Sequence, residues 1–396
     1  MENAVLVDAI RTPSGRGKPG GALSGIHPAD LLAELLVTLR ERNGLDSAQV
    51  DDVLVGCVSQ VGDQSTNIAR GAVLSAGFDV TVPATTIDRQ CGSSQQAATF
   101  AAQGIMAGGY DIVIAAGVES MSRVPLGAAA RGGSPAGSRL TSRFPDGLVN
   151  QGVSAELIAK KWGLSRDVLD RFAAESHRRA AAATETGAFA AEILPIMVAG
   201  PDGDRILDRD ETVRASTTAE GLAALQPSFR TEEMERRFPD LEWAIHPGNS
   251  SPLTDGASAV LIMSESAAQR LGVRPRARFH SFAVVGDDPL YMLTGPIPAT
   301  HRILERSGLA IGDIDAFEVN EAFASVPLAW AAEFDVDPSR LNPRGGAIAL
   351  GHPLGASGTR LLTTMLHHLE ATGGRFGLQT MCEGGGMANA TIIERL

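Results

Sequence analysis

At 396 residues the chain exceeds one ordinary core, and at roughly 100 to 200 residues per domain it divides into two or three. A hydrophobic content of 44% and a charged content of 20% are those of a globular chain and exclude extended disorder. A formal net charge of -12 turns the surface away from nucleic acid and anionic membranes, so a polyanionic ligand would need a local group of Arg or Lys.

The opening MENAVLVDAIRTP has no basic lead and its apolar run is broken by Asp8, so it is not expected to act as a secretory leader. No apolar stretch reaches the roughly 18 to 20 residues that span a bilayer, so no membrane insertion and a cytoplasmic location are expected. Cys57, Cys91 and Cys382 form no CxxC pair, which argues against a disulfide framework and a zinc cage. Free Cys is among the most buried residue types, so packing is the default role of each thiol.

Residues 4–10, AVLVDAI, predict a buried strand followed by a Gly-rich loop. Within that loop Gly15-Arg16-Gly17-Lys18-Pro19-Gly20 fits GxGxxG, but Pro19 and Gly21 argue against a helix opening there, so a nicotinamide site is not expected. A helix comes next, with Asp30 near its start and Leu31, Leu32, Leu35, Leu36 and Leu39 on one face. An internal repeat follows. Residues 42–58, RNGLDSAQVDDVLVGCV, align without gaps on 306–322, RSGLAIGDIDAFEVNEA, at an offset of 264, and 108–120 align on 373–385 at 265. Two stretches at nearly one offset imply two copies of one α/β unit.

From 122 to 247 the chain changes character, with a Gly, Ala, Ser and Arg-rich stretch and then one long helix expected over about 154–183. Residues 246–264, HPGNSSPLTDGASAVLIMS, return to strand character. The expected class is α/β, with two similar halves, each a sheet covered by helices, and an insertion in the first. The boundaries read as 1–121 with 248–272, then 122–247, then 273–396.

Four motifs carry chemistry. In IDRQCGSSQQAATFAAQGIMAGG a strand ends near Cys91 and a helix opens; the helix N-terminal field is expected to lower the thiol pKa, and a nucleophile outweighs a packing thiol here. In GGAIALGHPLGASGTRLL, His352 stands between glycine-rich flanks before a helix, within a few residues of the repeat position of Cys91. Two pseudo-symmetric ends thus present a thiol and an imidazole, as a nucleophile and its base require. A structural His is the alternative. Cys382 precedes three glycines whose N–H groups can face an oxyanion, or it is an ordinary hairpin Cys. FEVNEAFAS puts Asn320 and Glu321 at a buried strand end, where polar groups need partners or a function.

Together CGSSQQA, NEAFA, GHPLGASG and CEGGGMANA, in this order and at these distances, resemble the motifs of the thiolase family. RTPxG, GVESMS and GNSSPLTDGASA agree, and the resemblance covers essentially the whole chain. It implies a thiolase fold: two pseudo-symmetric five-stranded mixed-sheet halves around shared helices, with an inserted loop domain that binds coenzyme A, assembled as a homodimer or homotetramer. It implies Cys91 as the acylated nucleophile, His352 as its base and Cys382 as the second acid/base. Asn320 would hold a water in one oxyanion hole, and the N–H groups of Cys91 and Gly384 would form the other. Arg214 would lie near the CoA nucleotide, with Ser251 and Phe323 along the pantetheine channel. CoA and 3-ketoacyl-CoA are the implied substrates, with no metal, nicotinamide or flavin.

The chain departs from the family pattern after the nucleophile, where Gly92-Ser93-Ser94-Gln95 stands, and at Asn150-Gln151-Gly152, where short-chain thiolases carry His-Met-Gly. These features resemble a bacterial branch that degrades branched or ring-derived acyl chains. The alternatives are a biosynthetic thiolase forming acetoacetyl-CoA and a ketoacyl-synthase-like condensing enzyme. A condensing enzyme would need His where Cys382 stands.

Overall fold

The computed structural model describes residues 2–200 and 203–396; Met1, Pro201 and Asp202 lie outside it. The N-terminal half is built on β1 (Ala4–Arg11), β2 (Asp52–Gly56), β3 (Ala84–Ile87), β4 (Ile112–Ser120) and β5 (Thr254–Ser264). The C-terminal half has β6 (Ala277–Gly286), β7 (Ala316–Val319), β8 (Phe376–Glu383) and β9 (Met387–Arg395). The strands run in the order β7-β8-β9-β6-β1-β5-β4-β2-β3.

The two halves repeat one pattern. β2 is parallel to β4 and β3, and β4 is antiparallel to β5, which pairs with β1. Correspondingly β7 is parallel to β8, β8 antiparallel to β9, and β9 antiparallel to β6. The counterpart of β3 is a lone parallel bridge between Phe317 and Leu341. The halves meet at the antiparallel pairs Val5↔Arg278 and Leu6↔Ala277.

Helices fill the space on both sides. α1 (Pro28–Arg42) and α2 (Ile68–Ser75) cover one face of the N-terminal strands, and Leu31, Leu32, Leu35, Leu36 and Leu39 of α1 are all buried as their spacing predicts. Full burial of each contributes about 1.5–3 kcal/mol. α3 (Ser93–Met106) lies on the other face, against α8 (Ser357–Thr372). Ala97, Ala98, Ala101 and Ala102 of α3 and Leu362, Met365, Leu366 and Leu369 of α8 share a core with strands of both halves. α6 (Pro296–Ser307) and α7 (Ser325–Phe334) cover the outer C-terminal face around Trp330 and Phe317.

The helix expected over 154–183 is two helices, α4 (Gln151–Lys161) and α5 (Arg166–Glu185). Gly163 is left-handed, with φ +64°, and the Ser165 hydroxyl accepts from Val168 N–H, so a C-terminal glycine and a new N-cap interrupt a continuous apolar pattern. In the GxGxxG segment Gly15 and Arg16 pair with β5, and α1 begins only at Pro28, so this segment is the loop that the sequence predicts. No described helix is long and apolar enough to cross a membrane.

Candidate active site

Cys91 sits in the turn between β3 and α3. Gln90 before it has a positive φ of 49°, and Gly92 is the helix N-cap. The turn is tied by the Ser93 hydroxyl, which accepts from Arg89 N–H at 2.9 Å. The Cys91 thiol packs with Leu361 and Met381 and borders a cleft of about 580 Å³.

His352 borders the same cleft. It follows the helical turn Ala347–Leu350 and precedes α8, and its N–H donates to Thr254 Oγ1 at 3.0 Å. The imidazole Nδ1 is 2.6 Å from Ser357 Oγ, and that hydroxyl donates to Pro353 O at 2.9 Å. A serine has one hydroxyl hydrogen, so Nδ1 must be the donor and Nε2 carries the lone pair. Nε2 faces the Asn320 amide at 3.4 Å. Burial, reinforced by the Arg360 charge, pushes the imidazole down to about 3. It rests as a neutral base.

Cys382 is next to last in β8 and buried against the cluster of Ala322 and Phe323. Burial pushes its thiol up to about 12, partly offset by a hydrogen bond from Asn320. Burial also raises Cys91 well above the ordinary thiol range, and Cys382 and Glu383 add to the rise. The helix N-terminus was expected to favour the Cys91 thiolate. Desolvation and neighbours brought from β8 outweigh it, so both thiols rest protonated.

Gly384 opens the β8–β9 turn beside the residue preceding Cys91: a methyl group on it would lie 2.9 Å from Gln90 Oε1 and 3.3 Å from Gln151 Nε2. Ser251 and Phe323 line the cleft; Ser251 N–H donates to Ala322 O at 3.0 Å, and Phe323 meets Phe229 edge-on at 6.0 Å. Arg214 is not among the cleft residues. Its side chain is exposed, and its N–H donates to His177 Nδ1 at 3.1 Å. Glu321 supports the site from behind. It accepts from Ser176 Oγ, Asn342 Nδ2 and Ile348 N–H, and so holds the turn that leads to His352.

Three supports were not singled out in the sequence. Glu119 accepts from Val58 and Ser59 N–H, Gln64 Nε2 and Gly355 N–H, all within 3.1 Å, and so clamps the loop after His352 to the N-terminal half. Ser357 fixes the imidazole, and Glu383 stands beside the thiols. All three lie inside the motifs GVESMS, GASG and CEGGG. A polar residue in a run destined for burial was the available signal.

Comparison with known proteins places the whole chain among relatives of one family. The family model described as thiolase, N-terminal domain, matches residues 4–266, and the one described as thiolase, C-terminal domain, matches 273–395. The chain is 48% identical to steroid 3-ketoacyl-CoA thiolase FadA6 of Mycobacterium tuberculosis, covering 100% of this chain and 95% of the relative. It is 46% identical to a 3-ketoacyl-CoA thiolase of Erwinia tasmaniensis over 100% of both. The crystal structure of the Bacillus anthracis acetyl-CoA acetyltransferase superposes with a TM-score of 0.89 at 35% identity, covering 100% of this chain and 99% of that one. With both halves matched by family models and relatives similar over the whole length, the chain belongs to the thiolase family.

Proposed function

We propose that this acyltransferase splits 3-ketoacyl-CoA with coenzyme A through a Cys91 acyl-enzyme. The observation that carries the reading is His352 on the cleft wall with Cys91, neutral and held with Nε2 unprotonated beside Asn320. Because both resting groups are neutral, the Cys91 proton passes to His352 Nε2 as the sulfur adds to the 3-keto carbon, without a standing ion pair. The Cα–Cβ bond then breaks. The departing enolate is a poor leaving group, and Asn320 with His352 stabilises it while the N–H groups of Cys91 and Gly384 hold the other oxyanion. Cys382 protonates the enolate carbon, then takes the thiol proton of incoming CoA, whose thiolate attacks the acyl-enzyme and releases the shortened acyl-CoA; the Cys91 thiolate so freed takes its proton back from His352. No metal, nicotinamide or flavin takes part in these steps.

The proposed substrates are branched or ring-derived 3-ketoacyl-CoAs. The similarity to a relative named for steroid chemistry supports this, as does a cleft bordered by the small or apolar Leu126, Ala129, Ala130 and Phe229. Residues 122–247 are the proposed CoA-binding loop domain, with Ser251 and Phe323 along the channel and Arg214 toward the nucleotide. A homodimer or homotetramer in the cytoplasm is proposed; β3 ends the sheet order with an open edge, and Phe100 on adjacent α3 is 43% exposed.

The test is CoA-dependent loss of the 3-ketoacyl enolate absorbance over short, long and ring-bearing substrates. Cys91→Ala is expected to lose roughly 10³-fold or more of kcat. Undiminished thiolysis in that variant would remove Cys91 as nucleophile, and a preference for acetoacetyl-CoA would remove the ring-derived reading.

A further inference from the structure

Glu383 has no part in those steps, yet it lies among their reactive groups. It follows Cys382 at the end of β8, is fully buried, and neither carboxyl oxygen has a hydrogen-bond partner in the protein. Its side chain reaches the start of α3: a methyl group on Gly92, the residue after Cys91, would collide with Glu383 Oε1 and lie 2.8 Å from Asn389 Nδ2. Asn389 Nδ2 donates to Gly92 O at 3.0 Å, which fixes the Cys91 turn against β9. The carboxyl group is therefore wedged beneath the residue that links the nucleophile to its helix.

The charged and titratable groups around it come from three segments. The β3–α3 turn supplies Asp88, Arg89, whose Nε is buried without a partner, and Cys91; β8 supplies Cys382; and Glu119 of β4 acts on Cys91 from farther away. The first turn of α3 contributes only Ser93, Ser94 and Gln95. Arg89 is the one cation in this set.

We propose that Glu383 is a positioning residue for acylation: as a neutral carboxyl group it permits the Cys91 thiolate, and once ionised it opposes it, so the nucleophile is restrained on the alkaline side. Burial pushes the carboxyl group up to about 8, with Arg89 pulling it down and Asp88 adding to the rise. An anion here raises both Cys91 and Cys382. Below pH 8 the thiolate fraction of Cys91 grows tenfold per pH unit. Above it, each further unit of thiolate gain is cancelled by loss of the neutral carboxyl group, and reactivity levels off.

The inference rests on Cys91 being the nucleophile, but its test needs no turnover. The rate of Cys91 alkylation by iodoacetamide is followed from pH 6 to 9.5 in the full-length protein, with the Cys91 peptide quantified by mass spectrometry. The wild type is expected to level off near pH 8. Glu383→Gln should match it within about twofold at pH 7 and exceed it about tenfold at pH 9, one unit past the break. Arg89→Gln, which removes the cation, should move the break to higher pH. A wild-type rate that climbs unbroken through pH 9, or a break that survives in Glu383→Gln, overturns the proposal. If Glu383→Gln does not fold, an unmoved break in Arg89→Gln overturns it as well. Failure of Cys91 as nucleophile would show instead as thiolysis by Cys91→Ala, with these alkylation curves unaffected.

Discussion

Removing one hydroxyl group tests the assignment of His352 as base. Ser357→Ala deletes the acceptor 2.6 Å from Nδ1 and the donor to Pro353 O, in a position with no solvent access. The Nδ1–H is then buried without a partner, a loss of about 1–3 kcal/mol. The alternative tautomer escapes that cost by placing its hydrogen on Nε2, where it cannot accept the Cys91 proton. Either way the reactive form is disfavoured by about the same amount, which corresponds to roughly 5- to 150-fold in kcat. KM should change by less than about threefold, because Ser357 is not among the cleft residues. Steady-state thiolysis measures both, and Ser357→Thr, which retains the hydroxyl, should recover most of the loss. A Ser357→Ala enzyme with kcat within twofold of the wild type would refute the tautomer argument.

Two further outcomes follow from buried carboxyl groups. Glu119→Gln turns an NH2 group toward two backbone donors of the four groups that Glu119 now accepts from, so urea denaturation should show a loss of about 1–3 kcal/mol and kcat should fall; unchanged stability would remove Glu119 as the clamp. Glu318 has an unpartnered Oε1, and burial pushes it up to about 8, against the pull of Arg360. Its folded value lies above its unfolded one, so its contribution to stability is full below about pH 4.5 and is lost as pH rises through about 8. Between pH 5 and 8.5 the wild-type Tm should therefore fall further than that of Glu318→Gln, and parallel curves would count against a neutral buried Glu318.

What could be read in the sequence was what local pattern determines. The gapless alignment of 42–58 on 306–322 lands β2 and β7 in equivalent places, and the strand-to-helix glycine motifs place Cys91 and His352 on one cleft. Properties set through space were not legible. The helix field at Cys91 is a local feature, whereas the desolvation that outweighs it, reinforced by the titratable Cys382 and Glu383, involves a strand nearly 300 residues away. The Glu119 clamp joins residues 58 and 355, and no spacing rule connects them. The break at Gly163 was a local signal overridden by an amphipathic pattern that continued past it.

The repeat also accounts for why two distant motifs form one site. Thr359 N–H donates to Ser94 Oγ at 3.0 Å, and these residues are themselves repeat equivalents, 265 apart. The first turns of α3 and α8 therefore abut close to the pseudo-two-fold axis. Glycine permits the approach: a methyl group on Gly358 would collide with the Gln95 backbone, and one on Gly56 with Ser94 N and Gly355 O. Cys91 and His352 each stand shortly before the first turn of their helix, so bringing the turns together brings the two to one cleft. Exact symmetry would have paired two thiols or two imidazoles. The proposed chemistry requires the two copies to differ at this point while the helices that position them remain alike.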